Sequence, residues 1–335
     1  MDHAPLVEVT RGDDVESIHF GSVAVVNACG HLLYYAGNPD FLTFTRSTLK
    51  PFQAAPFMRD GGPAKFGFTS REVALLCASH SGEAMHVDAV RSMLRKVGCD
   101  EHHLRCGCHE PMFYAATSTP HDGETSTQLH HNCSGKHAGF LASCVQHGYR
   151  LDSYLDPDHP VQQAVRASVA HFAGLCESDL RSGIDGCSAP NFALPLSRLA
   201  LAYARLAQGE GDALYGDTLH DLYQAMTMHP EMVSGTGRSD LAFMQAGPAD
   251  WVAKVGAEGV QAIGVRSAGL GIAVKVADGN SRALYTATIA VLSQLGLIDS
   301  PETSPLTQWI SPQLINFAGI RTGEVRAVVR IAAMH

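Results

Sequence analysis

Two serine–lysine constellations supply most of the chemistry open to this sequence. In "TRSTLKPF", Ser47 and Lys50 stand three positions apart, which on a helix puts them on one face about one turn apart. A desolvated, neutral amine at Lys50 can take the serine proton, the arrangement of Ser-Lys nucleophilic catalysis. Lysine occurs only at positions 50, 65, 96, 136, 254 and 275, so each one asks for a role. "CASHSGE" contributes Ser79, His80 and Ser81, and "WVAKVGAEG" contributes Lys254 followed by Val255 and Gly256. Taken singly, each has a plain structural reading. Ser47 can be a helix N-cap with Lys50 in solvent, the second segment a polar turn, and Lys254 an exposed strand-edge lysine.

A second set of residues has the composition of a metal site. "HNCSGKH" (131–137) and "GIDGCSAPNF" each place a cysteine in a glycine-containing turn. Two thiolates from separated turns with a nitrogen donor suit Zn²⁺, which prefers such ligands in a near-tetrahedral shell. Cys133, Cys187 and either Lys136 or His137 are the candidates, with Asp185 as ligand or orienter. A lysine ligand must first lose its proton. "RCGCHEP" offers Cys106, Cys108 and His109 but no fourth ligand nearby, and reads as a compact turn.

These residues need a scaffold. "LVEVT", "SVAVVNA" and "HLLYYAG" are β-branched or aromatic runs parted by Gly and Asp turn signals, and predict an antiparallel meander over the first 36 residues. From about 70 to 230 the periodicity is helical, as in "HVDAVRSMLRKVG" and "LPLSRLALAYARLAQG". Strands return after Lys254 in "QAIGV" and "GIAVKVADGN", followed by the helical "SRALYTATIAVLSQLGLI". One shared antiparallel sheet would bury a face of both terminal segments against the helices. The expected fold is therefore α+β in one unit: residues 1–45 and 254–335 supply the sheet and a flanking helix, and 46–253 a mainly helical region. Residues 208–216, "QGEGDALYG", read as a loop within it.

With 33 Asp+Glu against 24 Lys+Arg the net charge is −9, which disfavours nucleic acid and anionic membranes as partners. Neither a signal-peptide pattern nor a run of about 20 apolar residues is visible, so a cytoplasmic protein is expected. Nine cysteines in a long chain point to reduced thiols, some with a metal or a special role.

In chain order, Ser47-x-x-Lys50, Ser79-His80-Ser81 and Lys254-Val255-Gly256 resemble the S-x-x-K, S-x-N and K-T-G set of serine β-lactamases and penicillin-binding proteins. Ser81 stands for Asn and Val255 for Thr. A fuller resemblance is carried by "RSTLKP", "CASHSGE", "LRCGCH", "NCSGKH", "DGCSAPNFALPL", "HPEMVSGTGR", "AKVGAEGVQAIGV" and "GIAVKVADGN", running in order from about residue 6 to 325. It is to the rhizobial-type (class 3) L-asparaginase family. The resemblance implies a β-lactamase-like fold that hydrolyses L-asparagine to L-aspartate and ammonia. It pairs Ser47 with Lys50 and Ser79 with Lys254, and implies zinc on Cys133, Lys136 and Cys187 with Asp185 closely associated. It also implies a homodimer. Substrate contacts are expected from Arg46, His137 and Asp185, with Arg46 suited to the α-carboxylate. Two other readings stay open: a β-lactamase-like amidase or esterase acting on another amide, and a non-catalytic protein that binds zinc or an amino acid.

Overall fold

The computed structural model of the chain describes residues 3–121, 123, 125–209 and 211–334. Its strands are β1 (Ala4–Arg11), β2 (Asp14–Asn27), β3 (Leu32–Ala36), β4 (Leu42–Phe44), β5 (Arg181–Ile184), β6 (Pro190–Pro195), β7 (Trp251–Gly256), β8 (Val260–Val265), β9 (Leu270–Val276), β10 (Gln313–Ile315), β11 (Arg321–Ala327) and β12 (Ala332–Ala333). The large sheet runs β10-β11-β1-β2-β9-β8-β7, with β3 on β2 and β12 on β3. Both terminal segments thus share one antiparallel sheet, as their β-branched runs lead one to expect.

Strand β2 joins the two segments by changing partners along its length. Its first half pairs with β1 and is largely exposed, whereas Gly21 to Asn27 pair with β9 and the buried stretch Val23 to Val26 also meets β3. The change falls at Gly21, where a Cβ would lie 2.1 Å from Lys275 O. Only a glycine lets the strands cross so closely.

The helix Leu196–Gln208 packs across β9, β8 and β2. It comes down onto Gly271, where a Cβ would sit 1.8 Å from Ala200 O. The helix Ser281–Gln294 packs against β11, β9, β1 and β8. In the helical middle, Ala84–Lys96 buries His86, Val87, Val90, Met93 and Leu94, one stripe of a 3.6-residue repeat. Ser70–Leu76 starts in a capping box: Thr69 Oγ1 accepts from Glu72 N, and Glu72 accepts from Thr69 N.

The middle region departs from its helical periodicity in one place. β4, β6 and β5 form a separate three-stranded sheet. β6 is buried along nearly its whole length and shows no polar alternation, and prolines bound it at both ends. The expected loop 208–216, of which residue 210 lies outside the described residues, closes on an Asp212–Gly216 bridge. Among the described residues no helix is long and apolar enough to cross a membrane.

Candidate active site

The site is built where β4 leaves the small sheet. Thr45 still donates its N–H to Phe192 O on β6. Arg46 then takes a left-handed φ of +51° and opens a 3₁₀ turn, Arg46–Leu49, that runs into the helix Lys50–Arg59. Ser47 sits half-buried on that turn, and Lys50 is wholly buried at the helix start. Ser47 and Lys50 thus stand one 3₁₀ turn apart, a spacing at which side chains eclipse on one face.

The lysines meet other partners than the sequence motifs suggest. Lys50 Nζ donates to Ser79 Oγ at 2.9 Å and to Ala78 O. Lys254 lies on the edge strand β7 yet is fully buried, donating to Asp240 Oδ2 at 2.8 Å and Val255 O at 3.0 Å. Ser79 is thus hydrogen-bonded to Lys50, while the equally buried Asp240 carboxylate offers Lys254 a charge-assisted bond. Asp240 is fixed in turn by Val255 N at 2.7 Å. Burial lowers the Lys254 pKa to about 8; Asp240 opposes the shift and the like charge of Lys50 adds to it. The Cys77 thiol is pushed up to about 12 by burial. His80 donates or accepts at Ser134 Oγ, 2.8 Å away, and burial with neighbouring His86 and Lys50 keeps its imidazole neutral.

The two glycine-containing turns also converge. Cys133 caps the helix Ser134–His147, and one turn on, Lys136 Nζ lies 3.1 Å from Cys187 Sγ. Cys187 sits in a turn closed by Asp185 N to Ala189 O and Ser188 N to Asp185 O. The Cys133 thiol hydrogen-bonds the Cys187 sulfur, which raises the Cys133 pKa, with burial adding to it. That same bond, with Lys136 and His137, strongly lowers the Cys187 pKa. For Lys136 burial pulls downward, but the Cys187, Cys133 and Asp185 charges outweigh it and the net shift is upward.

His137 is fully buried behind the thiols, its Nδ1 2.7 Å from Tyr154 OH and its Nε2 without a hydrogen bond of good geometry, although the ring is near enough to Cys187 to stabilise a thiolate. His137 is not among the residues that line the cleft described below. Asp185 instead binds Arg46, Nε to Oδ1 at 2.8 Å. Among the described residues no three His, Cys, Asp or Glu side chains come together as a metal-holding group. The two sulfurs, the Lys136 amine and His137 Nε2, which has no hydrogen-bond partner, are donors of the chemical types that zinc takes.

Arg46, Ser47, Cys133, Asp185 and Cys187 line an open cleft of about 320 Å³, large enough for a small ligand. His109, Met112, His131 and Ala257 line it too. His109 comes from the segment read as a compact turn; Cys108 ties that segment to Ser126 O, and His109 Nε2 accepts from Asn132 N at 3.0 Å. Burial and His109 lower the His131 pKa to about 3. A larger cleft of about 540 Å³, bounded by Glu83, Arg91, Pro111 and Phe113, holds none of the paired serines and lysines.

A sequence model of the L-asparaginase II family matches residues 7–327. No curated protein matches the sequence. Among solved structures the chain is similar to Mglu in its native form, with 15% identity, 83% of this chain and 65% of that chain covered, and a TM-score of 0.46. It spans less than two thirds of that protein's length. It is also similar to a β-lactamase from Mycobacterium bovis, with 14% identity, 82% and 94% coverage and a TM-score of 0.43. A putative β-lactamase from Bacteroides dorei DSM 17855 gives 11% identity, 82% and 93% coverage and a TM-score of 0.42.

Proposed function

Because this chain belongs to the L-asparaginase II family, we propose that it hydrolyses L-asparagine to L-aspartate and ammonia through a Ser-Lys acyl-enzyme. The observation that carries this reading is the buried 2.9 Å Lys50–Ser79 hydrogen bond, with Lys50 one helical turn after Ser47, which opens onto the cleft together with Arg46 and Asp185. Ser47 is the nucleophile, since it reaches the cleft whereas Ser79 is buried.

Its Oγ bonds to the side-chain amide carbon while its proton passes to the Lys50–Ser79 pair. The tetrahedral oxyanion needs N–H donors, for which the main-chain amides of Ser47 and Ala257 on the cleft wall are proposed. The C–N bond breaks as the proton returns to the leaving ammonia. Water then attacks the β-aspartyl ester, aided by the same pair, and frees Ser47. Arg46 receives the substrate α-carboxylate and Asp185 the α-ammonium, which their mutual ion pair pre-orients.

The rhizobial-type assignment rests on the NCSGKH and DGC turns. Zinc held by Cys133, Lys136 and Cys187 would supply a fixed positive charge that shapes one wall of the pocket. A cytoplasmic homodimer completes the proposal; nine cysteines without a disulfide suit a reducing compartment.

Ammonia release from asparagine tests the reading. Ser47→Ala is expected to lose activity by roughly 10³-fold or more, and brief acid quenching followed by mass spectrometry should find the β-aspartyl group on the Ser47 peptide. Normal turnover in Ser47→Ala, or the acyl group on Ser79, would remove Ser47 as nucleophile. Release from other amides but not from asparagine would favour a broader amidase.

A further inference from the structure

Beyond Phe44 the pairing of β4 with β6 passes from backbone to side chain. Thr45 donates its N–H and hydroxyl to Phe192 O at 3.2 and 2.7 Å. Continuing the ladder would bring Arg46 towards Asn191, main chain to main chain. Arg46 instead turns to φ +51°, and the Asn191 carboxamide takes over both of its peptide groups. Asn191 Oδ1 accepts from Arg46 N at 3.1 Å, and Nδ2 donates to Arg46 O at 3.1 Å. The Asn191 main chain is meanwhile paired with Gly183 on β5.

A left-handed arginine is unfavourable, because its Cβ crowds the following carbonyl, and it persists only where its surroundings over-determine it. Here they do so from two sides. Asn191 is buried, and Gly256 presses so closely that a Cβ there would lie 2.8 Å from Thr45 O and 3.2 Å from Arg46 Cβ. The residue that inherits the resulting chain direction is Ser47.

We propose that Asn191 is a positioning residue, whose carboxamide clamps the Arg46 peptide groups in the left-handed turn that aims Ser47 into the cleft. This rests on Ser47 being the nucleophile, but not on asparagine being the substrate. An aspartate at 191 could accept from Arg46 N but would set a carboxylate oxygen against Arg46 O.

A fluorophosphonate probe tests the clamp in the full-length protein without using the amino-acid contacts of Arg46. Ser47 Oγ bonds to phosphorus, fluoride leaves with the P–F bond, and the serine proton goes to the Lys50–Ser79 pair. Labelling of Ser47 should slow about ten- to a hundredfold in Asn191→Ala and Asn191→Asp, the scale of loss that a misplacement near 1 Å produces. Glycine adopts positive φ without strain. In an Arg46→Gly background the same substitutions should therefore slow labelling less than about threefold. Equal losses in both backgrounds, no loss in either, or labelling on Ser79 would overturn the proposal. If the Asn191 variants do not fold alone, folding restored by Arg46→Gly supports the clamp, and folding not restored counts against it. Labelled Ser47 in a protein that releases no ammonia from asparagine would retire the substrate reading and leave the clamp standing.

Discussion

Replacing Asp240 by Asn removes one charge from the wholly buried Lys254–Asp240 pair while keeping its shape, and Oδ1 can still accept from Val255 N. The remaining charged groups near Lys254 are Lys50 and Arg238, both of which disfavour its ammonium. Breaking one side of a buried pair costs about 3–5 kcal/mol. With an unfolding entropy near ~2.1 cal/mol/K per residue, the 335 residues turn that into a fall in Tm of roughly 4–7 °C. The pH dependence is more telling. Lys254 titrates at about 8 in the fold against an ordinary 10.5. Between those values the unfolded chain binds more protons, so this group adds stability as pH rises from 8 to 10.5 and is flat below 8. In Asp240→Asn the folded value drops further and the window opens at a lower pH. Once Lys254 is neutral in both proteins the lost ion pair no longer matters. Urea unfolding at pH 6.5, 8 and 9.5 should therefore show a difference between variant and wild type that shrinks as pH rises. A difference that is equal at all three values, or zero throughout, would refute the assignment of Asp240 as the group that holds Lys254 charged.

Three further outcomes are expected. Metal analysis of protein purified without chelators should find zinc near one per chain, lost in Cys187→Ser; wild type without zinc would end the metal proposal. Gly271→Ala should destabilise by about 1–3 kcal/mol or more, read by thermal melting, because the new methyl collides with Ala200 O. Thr69→Ala should cost about 1 kcal/mol in urea unfolding, because it removes the cap on Glu72 N.

The shared sheet was legible because its strands are β-branched runs with turn residues between them. The small sheet was not: "PNFALP" carries two prolines and no alternation, and its role appears only when β4 and β5 flank it. At the site, residue types were legible and pairings were not. Ser47, Lys50, Cys133 and Cys187 stand out by chemistry and spacing, but which acceptor each lysine meets depends on contacts across the fold. Asp240 in "GRSDLAF" reads as an acid in the first turn of a helix. Asn191 and His109 likewise acquire their partners only from segments distant in the chain.

The ladder that seats β1 between β2 and β11 places Val7 opposite Ala327. During synthesis at about 5–20 residues per second, the early strands wait roughly a quarter-minute to a minute for that neighbour. β2 must likewise wait for β9. Over that interval "LVEVT" and "SVAVVNA" present unpaired, apolar edges, the kind of surface that recruits chaperones or self-associates. The strands that knit the finished molecule together are thus also its most vulnerable part on the ribosome, and expression yield should respond to translation speed and holdase supply more than to the stability of the folded protein.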